Sequence, residues 1–240
     1  MRVDDFPAPG NPERVPTALA SAAAEVALWW TPLAAAEADI ARISPWLSPA
    51  EHARAARFGR EALSRHYIAG RALLRWLLGR ALELPPHAVP IVRGERGRPQ
   101  LAGDTGVDFN VSHTAGVALI GIARARRIGV DIERADRRVR ADGLAAKFLT
   151  AAEQATLAPL SESERRTRFL RYWTCKEAMS KATGEGLSAP FRRLEVRLSG
   201  TIELAAGPYP YQPARWQLSE VGVPPGYLAT VALWSPGAGP

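Results

Sequence analysis

A faint internal repeat constrains this chain more than any other feature. Leu47-Ser48-Pro49-Ala50-Glu51 is echoed by Leu149-Thr150-Ala151-Ala152-Glu153. Each reads as a helix start. A hydroxyl at the N-cap with a glutamate three residues on satisfies amide groups that a helix otherwise leaves without partners. Pro49 adds a preset φ at the first helical position. A longer helical segment follows in each half, with Tyr67, Arg71 and Gly79 in register with Tyr172, Lys176 and Gly184. Strand-like stretches follow in both. The repeat predicts an α/β (α+β) chain of two similar subdomains related by a pseudo-twofold axis. Each is expected to be a small, mostly antiparallel sheet packed with a long helix. The expected organisation is a flexible leader over 1–23, an N-terminal subdomain over 24–125 and a C-terminal subdomain over 126–240. Ala72 stands where Glu177 stands in the second copy. The copies therefore differ in a chemically important residue, which predicts one site per chain, in the cleft between the halves.

Local patterns place the elements. Pro7, Pro9, Gly10, Pro12 and Pro16 mark the leader as loosely held. Alternating Val26, Leu28 and Trp30 predict a strand over 25–31. Helices are expected over 49–58 and 60–80, the second with a buried stripe of Ile68, Leu74, Leu77 and Leu78, broken by Leu84-Pro85-Pro86. Strands are expected over 107–111, 117–123 and 128–133. A short helix over 144–149 and a long one over 165–183 precede β-rich stretches at 191–198, 202–204, 216–218 and 227–234.

Two of these elements carry chemistry. In the helix over 165–183, Trp173, Glu177 and Lys181 recur every fourth residue and share a face. A surface salt-bridge stripe would produce the same row. On the strand over 128–133, Asp131 and Glu133 are two apart and point the same way. Parallel carboxylates repel unless Arg, Lys or a divalent metal sits between them. Glu177 would make a third carboxylate for a hard, oxygen-seeking ion, with Lys181 one turn away to meet a phosphate. Of 31 basic residues only Lys147, Lys176 and Lys181 are lysines, two of them in this helix. In so arginine-rich a chain, those positions read as wanting a compact ammonium.

Gly129-Val130-Asp131-Ile132-Glu133, followed by Trp173-Thr174-Cys175-Lys176-Glu177-Ala178-Met179-Ser180-Lys181, resembles the paired signature of the 4′-phosphopantetheinyl transferases. Arg93-Gly94-Glu95-Arg96-Gly97-Arg98-Pro99 and Phe109-Asn110-Val111-Ser112-His113-Thr114 resemble that family's two upstream motifs, and all four stand in the family's order. The length and the extra first half resemble the monomeric, surfactin-synthetase-activating (Sfp-like) type. The resemblance implies transfer of the phosphopantetheine arm of coenzyme A to a serine of an acyl or peptidyl carrier protein, in polyketide or nonribosomal peptide synthesis. It implies Mg²⁺, with Mn²⁺ as a substitute, on Asp131, Glu133 and Glu177. Glu177 and Lys181 are the implied catalytic residues. Arg54, Arg98, Ser112, His113, Asp131 and Lys181 are the implied coenzyme A contacts, with His113 and Arg98 on the 3′-phosphate. Arg98 stands where the family usually has lysine. Lys176 points off the Glu177 face, and the resemblance implies a family carboxylate such as Glu153 as its partner. The segment over 134–153, with Arg134, Arg137, Arg138 and Arg140, is the expected lip for an acidic carrier helix; a solvated loop explains the same charges.

The bulk numbers fit this and exclude little. With 240 residues, 47% of them hydrophobic, the chain can bury a core of one large or two small units. A net charge of +7 favours an anionic partner: phosphorylated cofactor, acidic protein, nucleic acid or membrane surface. The single Cys175 excludes an intrachain disulfide and suits a reducing cytoplasm, where it reads as apolar filler. No apolar run reaches the ~18 residues of a membrane span. Two other readings compete. A non-catalytic nucleic-acid module would use the arginines, but no recognition motif for it is present. Another Mg²⁺-dependent phosphoryl-transfer enzyme of the same fold would use the same acids.

Overall fold

The computed structural model describes residues 17–19, 25–34 and 37–237. The first half runs β1 (Thr17–Leu19), β2 (Val26–Pro32), α1 (Glu37–Ile43), α2 (Pro49–Ala55) and α3 (Glu61–Leu82). The hairpins β3 (Ile91–Arg93) with β4 (Pro99–Leu101) and β5 (Val107–Thr114) with β6 (Val117–Arg124) follow. The second half repeats that order: β7 (Arg127–Arg134), α4 (Ala141–Phe148), α5 (Ala151–Leu157), α6 (Glu162–Thr183), hairpin β8 (Glu195–Ser199) with β9 (Thr201–Ala206), and hairpin β10 (Trp216–Glu220) with β11 (Tyr227–Trp234). In each half the opening strand pairs antiparallel with the last one, so the sheets run β2-β6-β5 and β7-β11-β10. The short β1 extends the first sheet at β2. The rest of the expected leader, 1–16 and 20–23, lies outside the described residues. No helix among the described residues is long and apolar enough to cross a membrane.

Side-chain chemistry explains where the helices start and stop. Ser48 and Thr150 both form reciprocal capping boxes, with Glu51 and Glu153, as their sequences predict. A third box, Ser161 with Glu164, starts α6 three residues earlier than its apolar pattern suggests. Gly184, at φ 80°, ends α6 in the left-handed region that glycine tolerates best. Several other boundaries shift by a few residues, and two of the shifts bear on the site. β5 runs on to Thr114, so Ser112 and His113 stand on the strand. The strand expected over 191–198 begins with a 3-10 turn, Phe191–Arg193, and is extended only from Glu195.

Each half has its own core. Leu74, Trp76, Leu77 and Leu78 of α3 pack on Phe109, Ile120 and Ile122. Phe169, Tyr172, Cys175 and Met179 of α6 pack with Leu157, Phe191 and Leu194. A third cluster draws on both sheets, joining Leu28, Val117 and Leu119 to Ile128, Val130, Ile132 and Val231. Burying each such side chain is worth about 1.5–3 kcal/mol, so this shared cluster holds the halves together.

A row of polar contacts completes the seam. Asp108, Asn110 and Ser112 lie two apart on β5 and face one way. Their side chains accept the amides of Ile128 (2.8 Å), Val130 (3.0 Å) and Ile132 (3.3 Å) on β7. The edge of β7 away from β11 is thus paired by side chains, not by a strand, which meets the requirement that buried amides find acceptors.

Candidate active site

The site stands at one end of that seam, where α6 crosses β7. An added Cβ at Gly129 would come within 1.9 Å of the Ala178 carbonyl. Glycine here lets β7 press on the helix backbone, with Ala178 and Ala182 keeping the helix side thin. The close approach brings Asp131 and Glu133, the next residues on the helix-facing side of β7, under Glu177 and Lys181. β5 supplies Ser112 and His113 from the other half. Together with Trp173 and Arg137 these side chains line a cleft of about 370 Å³.

Lys181 is the hub. Its Nζ donates to Asp131 Oδ1 (2.5 Å), Ser112 Oγ (2.9 Å) and the Val130 carbonyl (3.3 Å). Ser112 Oγ donates to Asp131 Oδ1 at 2.8 Å. The other carboxylate oxygen, Asp131 Oδ2, is buried with no hydrogen-bond partner. Such an orphan in low dielectric is costly and marks a place for a further cation or donor. Glu133 is drawn into an ion pair with Arg137. Burial pushes the Glu177 carboxyl above its ordinary range; Lys181 opposes that, while Asp131 and Glu133 add to it. Glu133 is raised in the same way, by burial first and Asp131 next, against Arg137. The three acids therefore feel one another, as neighbours around one site do.

Among the described residues, no group of three or more His, Cys, Asp or Glu is arranged as a ready-made metal cage. Asp131 is turned to Lys181 and Glu133 to Arg137. The donor set nonetheless fits a hard divalent ion: three carboxylates feel each other's charge, two are kept basic by burial, and one oxygen is orphaned.

Of the other expected residues, Arg54 and Arg98 stand away from the cleft, while His113, Lys176 and Cys175 stand as expected. Arg54 is exposed on α2, its guanidinium 5.8 Å from the centre of the Tyr67 ring, and does not line the cleft. Arg98 is buried and its guanidinium is turned away from the cleft, onto Asp108 and main-chain carbonyls; no N–H is left to face a phosphate. His113 is exposed at the cleft wall. Lys176 is fully buried, 2.7 Å from Glu153, with the Phe148 and Phe191 carbonyls as its other acceptors. That last bond holds the chain in the turn that displaces the expected strand. Cys175 is buried beside Thr230, its thiol pushed up to about 12 by burial, and is inert filler. Sequence reasoning missed Arg137 as a cleft residue and missed Asp108 and Asn110 as acceptors. For the latter a signal existed: polar residues two apart in an otherwise apolar strand.

Residues 127–232 match the family model of the 4′-phosphopantetheinyl transferase superfamily, and residues 29–124 match that of the 4′-phosphopantetheinyl transferase N-terminal region. The chain is 34% identical over 221 residues to 4′-phosphopantetheinyl transferase HetI of Nostoc sp., covering 88% of this chain and 90% of that protein. It is 27% identical over 197 residues to 4′-phosphopantetheinyl transferase Sfp of Bacillus subtilis, covering 81% and 85%. Among solved structures, a holo-(acyl-carrier-protein) synthase from Bacillus anthracis in complex with CoA (3′,5′-ADP) matches at 21% identity and a TM-score of 0.34, over 45% of this chain and 93% of that one.

Proposed function

Because this chain belongs to the 4′-phosphopantetheinyl transferase superfamily, we propose that the cleft between β5, β7 and α6 is its active site. The chain is an enzyme that transfers the phosphopantetheine arm of coenzyme A to carrier proteins. We take the acceptor to be a serine of an acyl or peptidyl carrier, and the chain to be of the Sfp-like, monomeric type with subdomains over 24–125 and 126–240. The observation that supports this site is the meeting of Asp131, Glu133, Glu177, Lys181 and His113 on one cleft.

In the reaction the serine oxygen bonds to the phosphorus next to the pantetheine arm, and that phosphorus releases the bridging oxygen of 3′,5′-ADP. The protein aligns the two partners, offsets charge and accepts one proton. Glu177 accepts the serine proton, directly or through a water. Its carboxylate lines the cleft one helical turn from Lys181, in reach of the space the two substrates would share. Lys181 would offset the charge growing on the leaving group, turning one N–H from the long contact with the Val130 carbonyl (3.3 Å) while Asp131 and Ser112 keep it in place. His113 holds the 3′-phosphate, which positions the donor without reacting. Asp131, Glu133 and Glu177 would hold Mg²⁺, or Mn²⁺ in its place, which supplies positive charge to the pyrophosphate. The arginine-rich lip over 134–153 meets the acidic helix of the carrier.

The test is mass spectrometry of a panel of apo carrier proteins incubated with coenzyme A and Mg²⁺. Some carrier gains one phosphopantetheine group, chelation of the metal stops the gain, and added Mg²⁺ or Mn²⁺ restores it. No gain on any carrier overturns the function, and a gain that survives complete chelation overturns the metal assignment.

A further inference from the structure

The environment of Arg98 gives it a different task from phosphate binding. Its side chain is 6% exposed. Nε donates to the Lys181 carbonyl at 2.7 Å. Nη1 and Nη2 grip the two oxygens of Asp108 at 2.9 and 2.7 Å. Nη2 also reaches the carbonyls of Phe109 (3.0 Å) and Ile128 (2.8 Å), and Nη1 that of Pro99 (3.3 Å). All five N–H groups of a guanidinium are used by these protein acceptors.

The acceptors span the seam. Asp108 and Phe109 belong to β5, Ile128 to β7 and Lys181 to α6. Asp108 also takes the amide of Ile128, so β7 is held at both its amide and its carbonyl at one residue. The stem of Arg98 lies against Gly184, where an added Cβ would stand 3.4 Å from its Cδ. The last turn of α6 is therefore fastened to β5 and β7 through one side chain.

Building on the transferase reading above, we propose that Arg98 and Asp108 form a positioning clasp. They set where Lys181 and Asp131 stand by holding the end of α6 and the start of β7 against β5, and the 3′-phosphate is bound without Arg98. Lys181 is held at its carbonyl by Arg98 and at its ammonium by Ser112 and Asp131. Loosening the first contact displaces the second. A displacement of about 1 Å at a reacting group costs on the order of a hundredfold in rate. The clasp also explains arginine at this position. A lysine ammonium carries three donors on one atom and cannot chelate Asp108 while also reaching the Lys181 and Ile128 carbonyls.

The test compares coenzyme A with 3′-dephospho-coenzyme A as donors for the wild-type, Arg98→Lys, Asp108→Asn and His113→Ala enzymes, with melting curves recorded first. For the clasp, Arg98→Lys and Asp108→Asn each lower kcat by about tenfold to a hundredfold. Both keep the wild-type preference for the 3′-phosphorylated donor, whereas His113→Ala reduces that preference by about tenfold or more. If Arg98→Lys erodes donor preference as His113→Ala does while Asp108→Asn is silent, Arg98 is a phosphate ligand and the clasp is wrong. Wild-type kcat in both variants also overturns it. A single variant that does not fold is replaced by Arg98→Gln with Asp108→Asn together, which removes both charges of the pair and leaves Arg127, half-buried beside Asp108, to turn to solvent. In that variant a lowered kcat with the wild-type donor preference supports the clasp, and a wild-type kcat overturns it. A wild-type enzyme with no transfer at all would fail the function itself, a result separate from either outcome above.

Discussion

The two long helices of this protein solve the same structural problem and diverge in chemistry. Each spans 22 residues, and each receives a glutamate from a short capped helix packed beside it. Under α3, Glu51 is met by Arg71 and Arg75, both at 2.6 Å. Under α6, Glu153 is met by Lys176 at 2.7 Å, with both side chains essentially fully buried. In each case the same carboxylate also closes the capping box of its own helix. Counting on from Arg71 and Lys176, however, Ala72 and Trp76 occupy the positions of Glu177 and Lys181. The first pair is buried in the core of its half, at 0% and 2% exposure. The second pair faces the seam and lines the cleft. The acid-under-helix device serves the scaffold and is present twice; the reactive row is present once.

This contrast is open to direct attack, most strongly at the reactive row. Asp131→Asn or Glu177→Gln is expected to lower transfer to a carrier by on the order of a hundred- to a thousandfold while the chain still folds, with a lowered melting temperature only for Asp131→Asn, which breaks the buried pair with Lys181. Placing the acid in the other helix, by Ala72→Glu, creates no activity and destabilises the chain, because a buried carboxylate there has no partner. Full activity in an Asp131→Asn, Glu177→Gln double variant would remove the basis for treating the second copy as the reactive one.

The scaffold pairs should differ in how much they hold. Lys176→Met leaves Glu153 buried without its counter-charge and is expected to cost about 3–5 kcal/mol in urea unfolding. Arg71→Met leaves Glu51 still bonded to Arg75 and is expected to cost about 1–2 kcal/mol. Equal losses would mean that the two pairs are energetically alike despite their different burial.

The smallest effect is in pH dependence. Burial alone would raise the Glu51 carboxyl, but the Ser48 amide and the guanidinium groups of Arg71 and Arg75 overcome it and hold Glu51 below its ordinary range. Folded protein therefore binds fewer protons at Glu51 than unfolded chain does. Its stabilisation is complete above the unfolded pKa and is lost as pH falls through the lowered folded value. Glu51→Gln should flatten the acid limb of a melting-temperature profile taken from neutral pH to about pH 3. An unchanged acid limb would show that Glu51 does not titrate on unfolding.

Much of this was legible before any fold was known. Both expected capping boxes rest on residues three apart, so a short window of sequence contains the whole interaction. The strands appear as alternation and α6 as a row at every fourth residue. Helix geometry shows only that Lys176 points off the Glu177 face; Glu153 as its partner comes from the family resemblance, and the fold does bring the two together at 2.7 Å. The row Trp173, Glu177 and Lys181 does line the cleft. Arg98 is read from the motif around it and Arg54 from the family resemblance alone; the folded chain turns Arg98 inward onto Asp108 and sets Arg54 against Tyr67.

What the chain itself determined, then, is the inventory: two copies of one β/α unit, the capped helices, the strand carrying Asp131 and Glu133, and the helix carrying Glu177 and Lys181. Their signals lie within a few residues of one another. What only the tertiary structure decided is who meets whom across the seam: Arg98 with Asp108 and the Lys181 carbonyl, Ser112 with Asp131 and Lys181, and Arg137 with Glu133. A guanidinium or a hydroxyl bonds to whichever acceptors packing brings within about 3 Å. For the seam contacts, that packing is set by the glycine at 129 and by a core drawn from both sheets. No local periodicity encodes it.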